Sequence, residues 1–306
     1  MNPDSIIECV PNFSEGADES KVRQIVASMC VDGVRLLDWS RDADHNRSVV
    51  TIAGAPGPVM EAAINAAGMA AKLIDLTEQT GVHPRIGAAD VIPFVPVHGV
   101  SLAEAAMLAR QAGLQIWRRY GVPVYFYGAA AARPDRVQLE DVRRGQFEGL
   151  REASLKDASR RPDVGGPELH ATAGASAVGA RTFLIAYNIY LASGDISVAR
   201  AVARDIRASS GGMQGVKALG VLANGRPQVT MNITDFTLTP MHRVHKAVED
   251  LARQHGVSLG EGELIGLIPQ DALGADSAWA DQIPGFDPEA KILERKLHHP
   301  IDWPGI

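Results

Sequence analysis

One dipeptide constrains this chain more than any other local feature. Asn224-Gly225 stands between the alternating apolar runs Gly215 to Leu222 and Gln228 to Thr234. Asn-Gly supplies the two positive-φ residues of a tight turn, so the runs are expected to pair as a hairpin. Before it, Phe183 to Leu191 reads as a strand, and Ile196, Ala199, Val202, Ala203 and Ile206 share a helical spacing. After it, Met241, Val244, Val248 and Leu251 mark a second helix, and Leu264 to Ile268 the last clear strand. This β-α-β-β-α-β order is the split-βαβ, ferredoxin-like pattern.

The first half carries a similar order with additions. Ile6 to Val10 is strand-like, and Val22, Ile25, Val26 and Met29 lie on one helical face. Val34 to Trp39 and Ser48 to Ala53 read as strands around a polar loop, Ser40 to Arg47. A long helix begins near Pro58, with Val59, Ala62, Ala63, Ala66, Ala70 and Leu73 on one side. Pro56 and Pro58 suit its first turn. The loop Thr77 to Gly87 leads into the apolar run Val91 to Val97, another helix follows Ser101, and Val122 to Tyr127 is a buried strand by composition. Arg133 to Pro167 is charged and without period, and reads as a peripheral helix plus connection. The expected fold class is α/β (α+β), with two related ferredoxin-like βαββαβ-type halves, residues 1–178 and 179–306, and a ligand cleft between them.

Composition narrows the function classes. At 306 residues, 46% apolar and 22% charged, the chain can build sizeable cores and is not disordered. A net charge of −6 argues against a general nucleic-acid binder. Cys9 and Cys30 are too few for a disulfide scaffold or a zinc ribbon. The start carries Asp4 and Glu8 and no basic segment, so a signal peptide is not expected. Glu61, Lys72, Asp90 and Asp195 interrupt the apolar runs that come nearest the ~20 residues of a membrane span. Asn12, Asn46 and Asn232 head N-x-S/T triplets, which are chance matches without a secretory signal. The expectation is a cytoplasmic enzyme with neither nucleic-acid nor membrane partners.

Several familiar motifs nearly match and fail. Gly174 to Gly179 has Walker A glycine spacing, but Ala180-Arg181 replaces the required Lys-Ser/Thr. A nucleophile elbow at Ser176 would need glycine where Val178 stands. Gly260-Glu-Gly262 with Gly266 has one residue too many for a dinucleotide fingerprint. His242 and His245 are three apart on a helix, but no nearby Glu or Cys completes a zincin-like set, so no metal site is assigned.

Three loops are more informative. Thr80 to Gly87 contains His83-Pro84-Arg85: proline biases His83 towards an extended conformation, an imidazole exchanges protons near neutral pH, and a guanidinium can hold a carboxylate by two bonds. Ser40 to Arg47 packs charge, amide and imidazole into eight residues. Pro162-Asp-Val-Gly-Gly-Pro167, then Leu169-His-Ala-Thr-Ala-Gly-Ala175, is rich in small residues. Such a segment either lets backbone N–H groups approach a flat or anionic ligand, or is a flexible linker.

Taken together, these segments resemble the formiminotransferase family, the glutamate formimidoyltransferases. The matching pieces are Glu8-Cys-Val-Pro-Asn-Phe-Ser-Glu-Gly16, Leu36-Leu-Asp38, Asn46-Arg47 and His83-Pro-Arg-Ile-Gly-Ala-Ala-Asp90. Val122-Pro-Val-Tyr-Phe-Tyr-Gly128, Pro162-Asp163, Thr172-Ala-Gly-Ala175, Gly179 to Asn188 and Val229 to Phe236 follow in order. The resemblance implies two α/β subdomains with a ligand tunnel between their sheets, and transfer of a formimino group from N-formimino-L-glutamate to N5 of tetrahydrofolate. It implies His83 as the catalytic acid/base and a folate-contacting stretch of Val164, Gly165, Gly166, Pro167, Glu168, Leu169, His170, Ala171, Thr172 and Ala173. Val164 departs from a common aromatic and Ala171 from a frequent proline. Asp42 and Asp44 are both candidates to assist His83.

The chemistry suits these residue types. Attack by N5 on the amidine carbon gives a tetrahedral intermediate, and one histidine can carry the N5 proton to the departing glutamate amine. Holding both substrates together supplies much of the rate. Both carry carboxylates, for which Arg47, Arg85 and Arg181 are candidate clamps. Two other readings stay open, a folate-binding protein without turnover and a formimino or formyl transferase with a different amino-acid donor, as does assembly into a homodimer. In some relatives a helical, deaminating domain follows, whereas here only a short tail with Asp287 to Glu294 follows the last strand, so ammonia release is not expected of this chain.

Overall fold

The structure, a computed structural model, describes residues 4–81 and 83–305. The chain forms two compact units: one ends at Arg181 and takes in the terminal segment from Pro300, and the other is Thr182–His299.

In the first unit, β1 (Ile6–Cys9) and β2 (Asn12–Phe13) keep one register against β4 (Arg47–Gly54), interrupted at Val10-Pro11, where proline has no N–H to donate. They are followed by α1 (Glu19–Ala27), β3 (Val34–Asp42), β4, α2 (Pro56–Leu73) and β5 (Ala89–His98). The strands lie in the order β5, β1–β2, β4, β3, all antiparallel, which is the ferredoxin-like arrangement. The addition comprises α3 (Leu102–Tyr120), β6 (Val124–Gly128), α4 (Leu139–Val142), α5 (Gln146–Lys156) and β7 (Ser176–Ala180). β7 inserts between β5 and β6, parallel to both, and the sheet reaches seven strands among the described residues.

Burial follows the sequence pattern. Val22, Ile25, Val26 and Met29 of the first helical face are at most 1% exposed, and so are Val59, Ala62, Ala63, Ala66 and Ala70 of α2. The alanines keep α2 thin enough to pack on both the sheet and α3. Asp18 caps α1 through the N–H groups of Ser20 and Lys21, and a Ser101–Glu104 capping box starts α3.

Two segments differ from expectation. Half of the polar stretch Ser40 to Arg47 is ladder, paired out to Asp42 opposite Arg47, with residues 43–46 in the turn. This ribbon buries neither face at its tip, so the apolar alternation that marks a strand is missing. β7 carries little strand signal in the sequence, because four of the five residues of Ser176-Ala-Val-Gly-Ala180 are Ser, Ala or Gly. Gly179 is small for a packing reason: a Cβ there would stand 2.5 Å from the Tyr127 carbonyl oxygen.

The second unit contains β8 (Ile185–Leu191), α6 (Ile196–Ile206), β9 (Val216–Ala223), β10 (Arg226–Ile233), α7 (Met241–Gln254) and β11 (Leu259–Ile265). Its sheet order, β11-β8-β10-β9, is again ferredoxin-like. Asn224 and Gly225 have φ of 50° and 70°, as the tight hairpin turn requires. Tyr187, Ile189, Val229, Met231 and Val244 form the core with Trp279. The last strand begins five residues earlier than the Leu264 expected, because Gly260-Glu-Gly262 has low strand preference and the ladder shifts register there. His245, on α7, meets Tyr187 Oη through Nδ1 at 2.9 Å. No described helix is long and apolar enough to cross a membrane.

Candidate active site

The His83 loop is built by its own polar side chains. Asp75 turns the chain after α2 by accepting from the Thr77 N–H and hydroxyl. Gln79 then reaches the carbonyls of Ser14 (2.5 Å) and Asn46 (3.1 Å). Asn46 joins in from the hairpin turn, donating to Thr80 O and accepting from the Gly16 N–H. Arg85 is committed to this framework: its guanidinium bonds Gln79 Oε1 and the carbonyls of Gln79 and Leu76, and pairs with Glu148 at 3.0 Å.

Asp90 closes the loop from β5. It is wholly buried, and its Oδ1 accepts the Ile86 N–H at 2.8 Å. Its Oδ2 accepts from Arg47 Nη1 at 2.9 Å and from Arg143 Nη2. Arg47, at the first position of β4, also places Nε and Nη2 on Asn12 Oδ1 of β2, at 3.1 and 2.9 Å. Arg143 arrives from the end of α4, inside the charged region expected to be peripheral; that expectation is corrected here. Burial works against the Asp90 anion, but Arg143, Arg47 and the Ile86 N–H outweigh it and hold its pKa at about 2. Burial lowers the Arg47 pKa to about 10, which leaves it charged at neutral pH. Two cations and one anion therefore share this cluster. The Arg143 Nε is buried and has no acceptor among the described residues, which costs about 1–3 kcal/mol if nothing else meets it.

His83 stands beside this cluster, with Val82 before it outside the described residues. Its Nδ1–H donates to the Pro84 carbonyl at 2.8 Å, because a carbonyl can only accept. That fixes the tautomer and leaves the Nε2 lone pair as the basic site. Burial first, then the Arg47 and Arg143 guanidinia, push the His83 pKa from 6.5 to about 3, against a smaller pull from Asp90. The imidazole is thus neutral in the protein without substrate. His45 lies edge-on with its ring centroid 6.5 Å from that of His83, and Asp42 holds His45 Nδ1 at 3.1 Å. Neither Asp42 nor Asp44 hydrogen-bonds to His83 itself.

Val164 to Ala173 is packed into the first unit. Val164 pairs with Val124 through both N–H and carbonyl, Thr172 O accepts the Leu76 N–H, and Ala173 O accepts the Ala88 N–H. His170 Nδ1 takes the Ala173 N–H at 3.0 Å, and Leu169 and Ala173 are buried. The flexible-linker alternative is therefore wrong in this structure. Gly165 has φ +77°, and a Cβ there would lie 2.6 Å from the Trp117 ring. Arg181 follows β7, where its guanidinium bonds the buried Tyr127 phenol and its field reaches Cys9. The structure thus brings His83 and Arg47 together with Asp90 and Arg143, turns Arg85 into the loop, and sets Arg181 beside Tyr127.

The class defined by these features is an α/β protein of two ferredoxin-like units, the first holding a neutral loop imidazole beside a buried ion cluster of net positive charge. Comparison with known proteins narrows it. Residues 6–181 match the formiminotransferase domain, N-terminal subdomain, and residues 186–282 match the formiminotransferase domain. The chain belongs to the formiminotransferase family. Glutamate formimidoyltransferase of Streptococcus pyogenes serotype M1 is 40% identical, covering 95% of this chain and 98% of the relative. That of Thermoplasma acidophilum is 41% identical, covering 96% and 97%. The formimidoyltransferase-cyclodeaminase of Gallus gallus is 38% identical over 88% of this chain, which spans 51% of that longer protein.

Proposed function

We propose that the protein is a glutamate formimidoyltransferase that moves the formimino group of N-formimino-L-glutamate to N5 of tetrahydrofolate and releases L-glutamate, as in histidine degradation. The observation that carries the mechanism is the His83 tautomer: Nδ1–H is spent on Pro84 O, so Nε2 is the base. N5 attacks the amidine carbon and the new C–N bond gives a tetrahedral intermediate. Nε2 takes the N5 proton and returns one to the glutamate nitrogen, whose bond to the formimino carbon then breaks. A pKa near 3, set by burial first and by the Arg47 and Arg143 guanidinia second, makes a weak base, and an arriving carboxylate offsets the cationic share.

The segment Val164 to Ala173 is assigned to tetrahydrofolate, supported by its place beside the His83 loop, where Gly174 and Ala175 bond His170 and Ile86. Arg47 and Arg181 are assigned to substrate carboxylates. Arg85 is assigned to the shape of the loop, because its Nε and Nη2 bond Gln79, Leu76 and Glu148 there; Arg47, itself held by Asp90 and Asn12, would offer a carboxylate its remaining N–H groups. The test is transfer with formiminoglutamate and tetrahydrofolate, each omitted in turn, alongside His83→Ala. Glutamate release that needs both substrates, and falls about 10²–10⁴-fold in the variant, is expected. Folate binding without release would favour a binding protein, and transfer only from another donor would replace the substrate.

A further inference from the structure

The transfer chemistry leaves Arg143 without a role. The residue reaches Asp90 from the end of α4, beside Arg47, and the three groups carry one positive charge more than negative. That charge is poorly solvated, since the Arg143 and Arg47 side chains are 14% and 11% exposed. A buried, uncompensated charge is costly unless a counter-ion meets it. The Arg143 Nε–H points the same way, being buried and without an acceptor among the described residues. Both guanidinia act on His83, so all these groups lie near one reaction centre.

We propose that Arg143 receives a carboxylate of the amino-acid donor through its Nε–H while its Nη2 keeps Asp90. This rests on the formimidoyltransferase reading and says which substrate the surplus charge takes. Both substrates carry carboxylates, and connectivity decides between them. In formiminoglutamate the α-carboxylate is bonded to the same carbon as the amidine nitrogen, so a guanidinium near His83 can hold it while Nε2 reaches that nitrogen. In tetrahydrofolate the p-aminobenzoyl group separates N5 from the glutamate tail, so the tail carboxylates lie far from an imidazole working at N5. A guanidinium's fixed donors suit a carboxylate better than a lysine's ammonium would.

The bound carboxylate also cancels the surplus charge beside His83. The groups that face the ring are Arg47 on β4, Asp90 on β5, Arg143 after α4 and His45 in the hairpin turn. The two cations add to burial in lowering the His83 pKa, and a bound carboxylate offsets their share, so Nε2 gains proton affinity. The donor thereby prepares the base that its own transfer requires.

The test titrates the full chain calorimetrically with L-glutamate, the product, which keeps both carboxylates. Arg143→Lys retains a cation for Asp90 but lacks Nε–H, and should fold normally yet bind L-glutamate about tenfold or more weakly. The KM for formiminoglutamate should rise by a similar factor, with that for tetrahydrofolate little changed. Saturating L-glutamate should raise the His83 pKa, read by NMR, in the wild type and not in the variant. If Arg143→Lys fails to fold, the double variant Asp90→Asn with Arg143→Met replaces it, because it keeps the same net charge through Arg47. It should show the same loss. Unchanged L-glutamate affinity in a folded variant, or an equal rise in the tetrahydrofolate KM, overturns the proposal and leaves the transferase reading standing. Wild-type protein that binds L-glutamate through Arg143 but transfers nothing would do the reverse, and wild type that does not bind it sinks the proposal.

Discussion

Replacing His83 by asparagine should change how stability depends on pH, in a direction and amount that follow from the site. The imidazole titrates at 6.5 when unperturbed and at about 3 in the fold, pushed down by burial and by the Arg47 and Arg143 guanidinia. The folded value is the depressed one, so the neutral ring's contribution is complete above pH 6.5 and is lost as pH falls towards 3. Across that window the unfolded chain takes a proton that the fold refuses. One pKa unit corresponds to about 1.4 kcal/mol, so comparing about pH 7.5 with about pH 5 gives a loss of about 2 kcal/mol from this residue. The amount hardly changes while the folded value stays well below 5. Asparagine does not titrate, so wild type should lose about 2 kcal/mol more than His83→Asn between the two conditions, while His45 and the carboxylates largely cancel. Urea unfolding followed by tryptophan fluorescence suits the measurement, since Trp39, Trp117 and Trp303 belong to the first unit and only Trp279 to the second. Parallel pH dependences in the two proteins would refute the argument and place the imidazole outside the field of the guanidinia.

Asp90→Asn should destabilise the first unit by about 3–5 kcal/mol, because it leaves two buried guanidinia facing each other, and an unshifted urea midpoint would contradict that. The same variant should lower the His83 pKa further, since Asp90 is the charge that raises it. Gly165→Val should cost about 1–3 kcal/mol through its φ of +77° and the Trp117 ring, so tetrahydrofolate binding by this variant has meaning only beside its unfolding curve; an unchanged curve would show that the segment adapts. Turnover by this 306-residue chain should release L-glutamate in step with tetrahydrofolate consumption and ammonia only at the no-enzyme background, and enzyme-dependent ammonia would reveal a second activity.

The parts of the fold that were legible in the sequence are those where local preference and tertiary need agree. Asn224-Gly225 makes its hairpin because the turn's positive φ values and the strands' alternation ask for the same register. Where they diverge, pattern reading fails for identifiable reasons. β7 is mostly Ser, Ala and Gly, and at Gly179 the reason is steric, because the Tyr127 carbonyl and ring on β6 leave no room for a Cβ. The β3–β4 tip is a strand without a buried face, and β11 starts on glycines that a propensity argument assigns to a loop.

The site divides along a similar line, set by sequence distance. His83, Pro84 and Arg85 form a contiguous motif whose residue types already suggest proton transfer beside an anion. A loop of this length must satisfy its own carbonyls, and Arg85 donates to two of them, which a local reading of the motif does not reveal. Asp90 and Arg143 are 53 residues apart, and neither carries a local signature. Arg143 lies in a run of arginines that, read alone, is a solvated surface, and only the seven-stranded sheet brings it to a carboxylate that admits no water. A signal was nonetheless present. Asp90 falls in an apolar strand that buries its neighbours Ala89 and Val91, and a carboxylate forced into such a strand must be met by cations from elsewhere in the chain. Arg47, next to Asn46 in a stretch already singled out, supplies one of them. The coordination of that anion leaves room for a second, and the charged region between β6 and β7 is where the second is found.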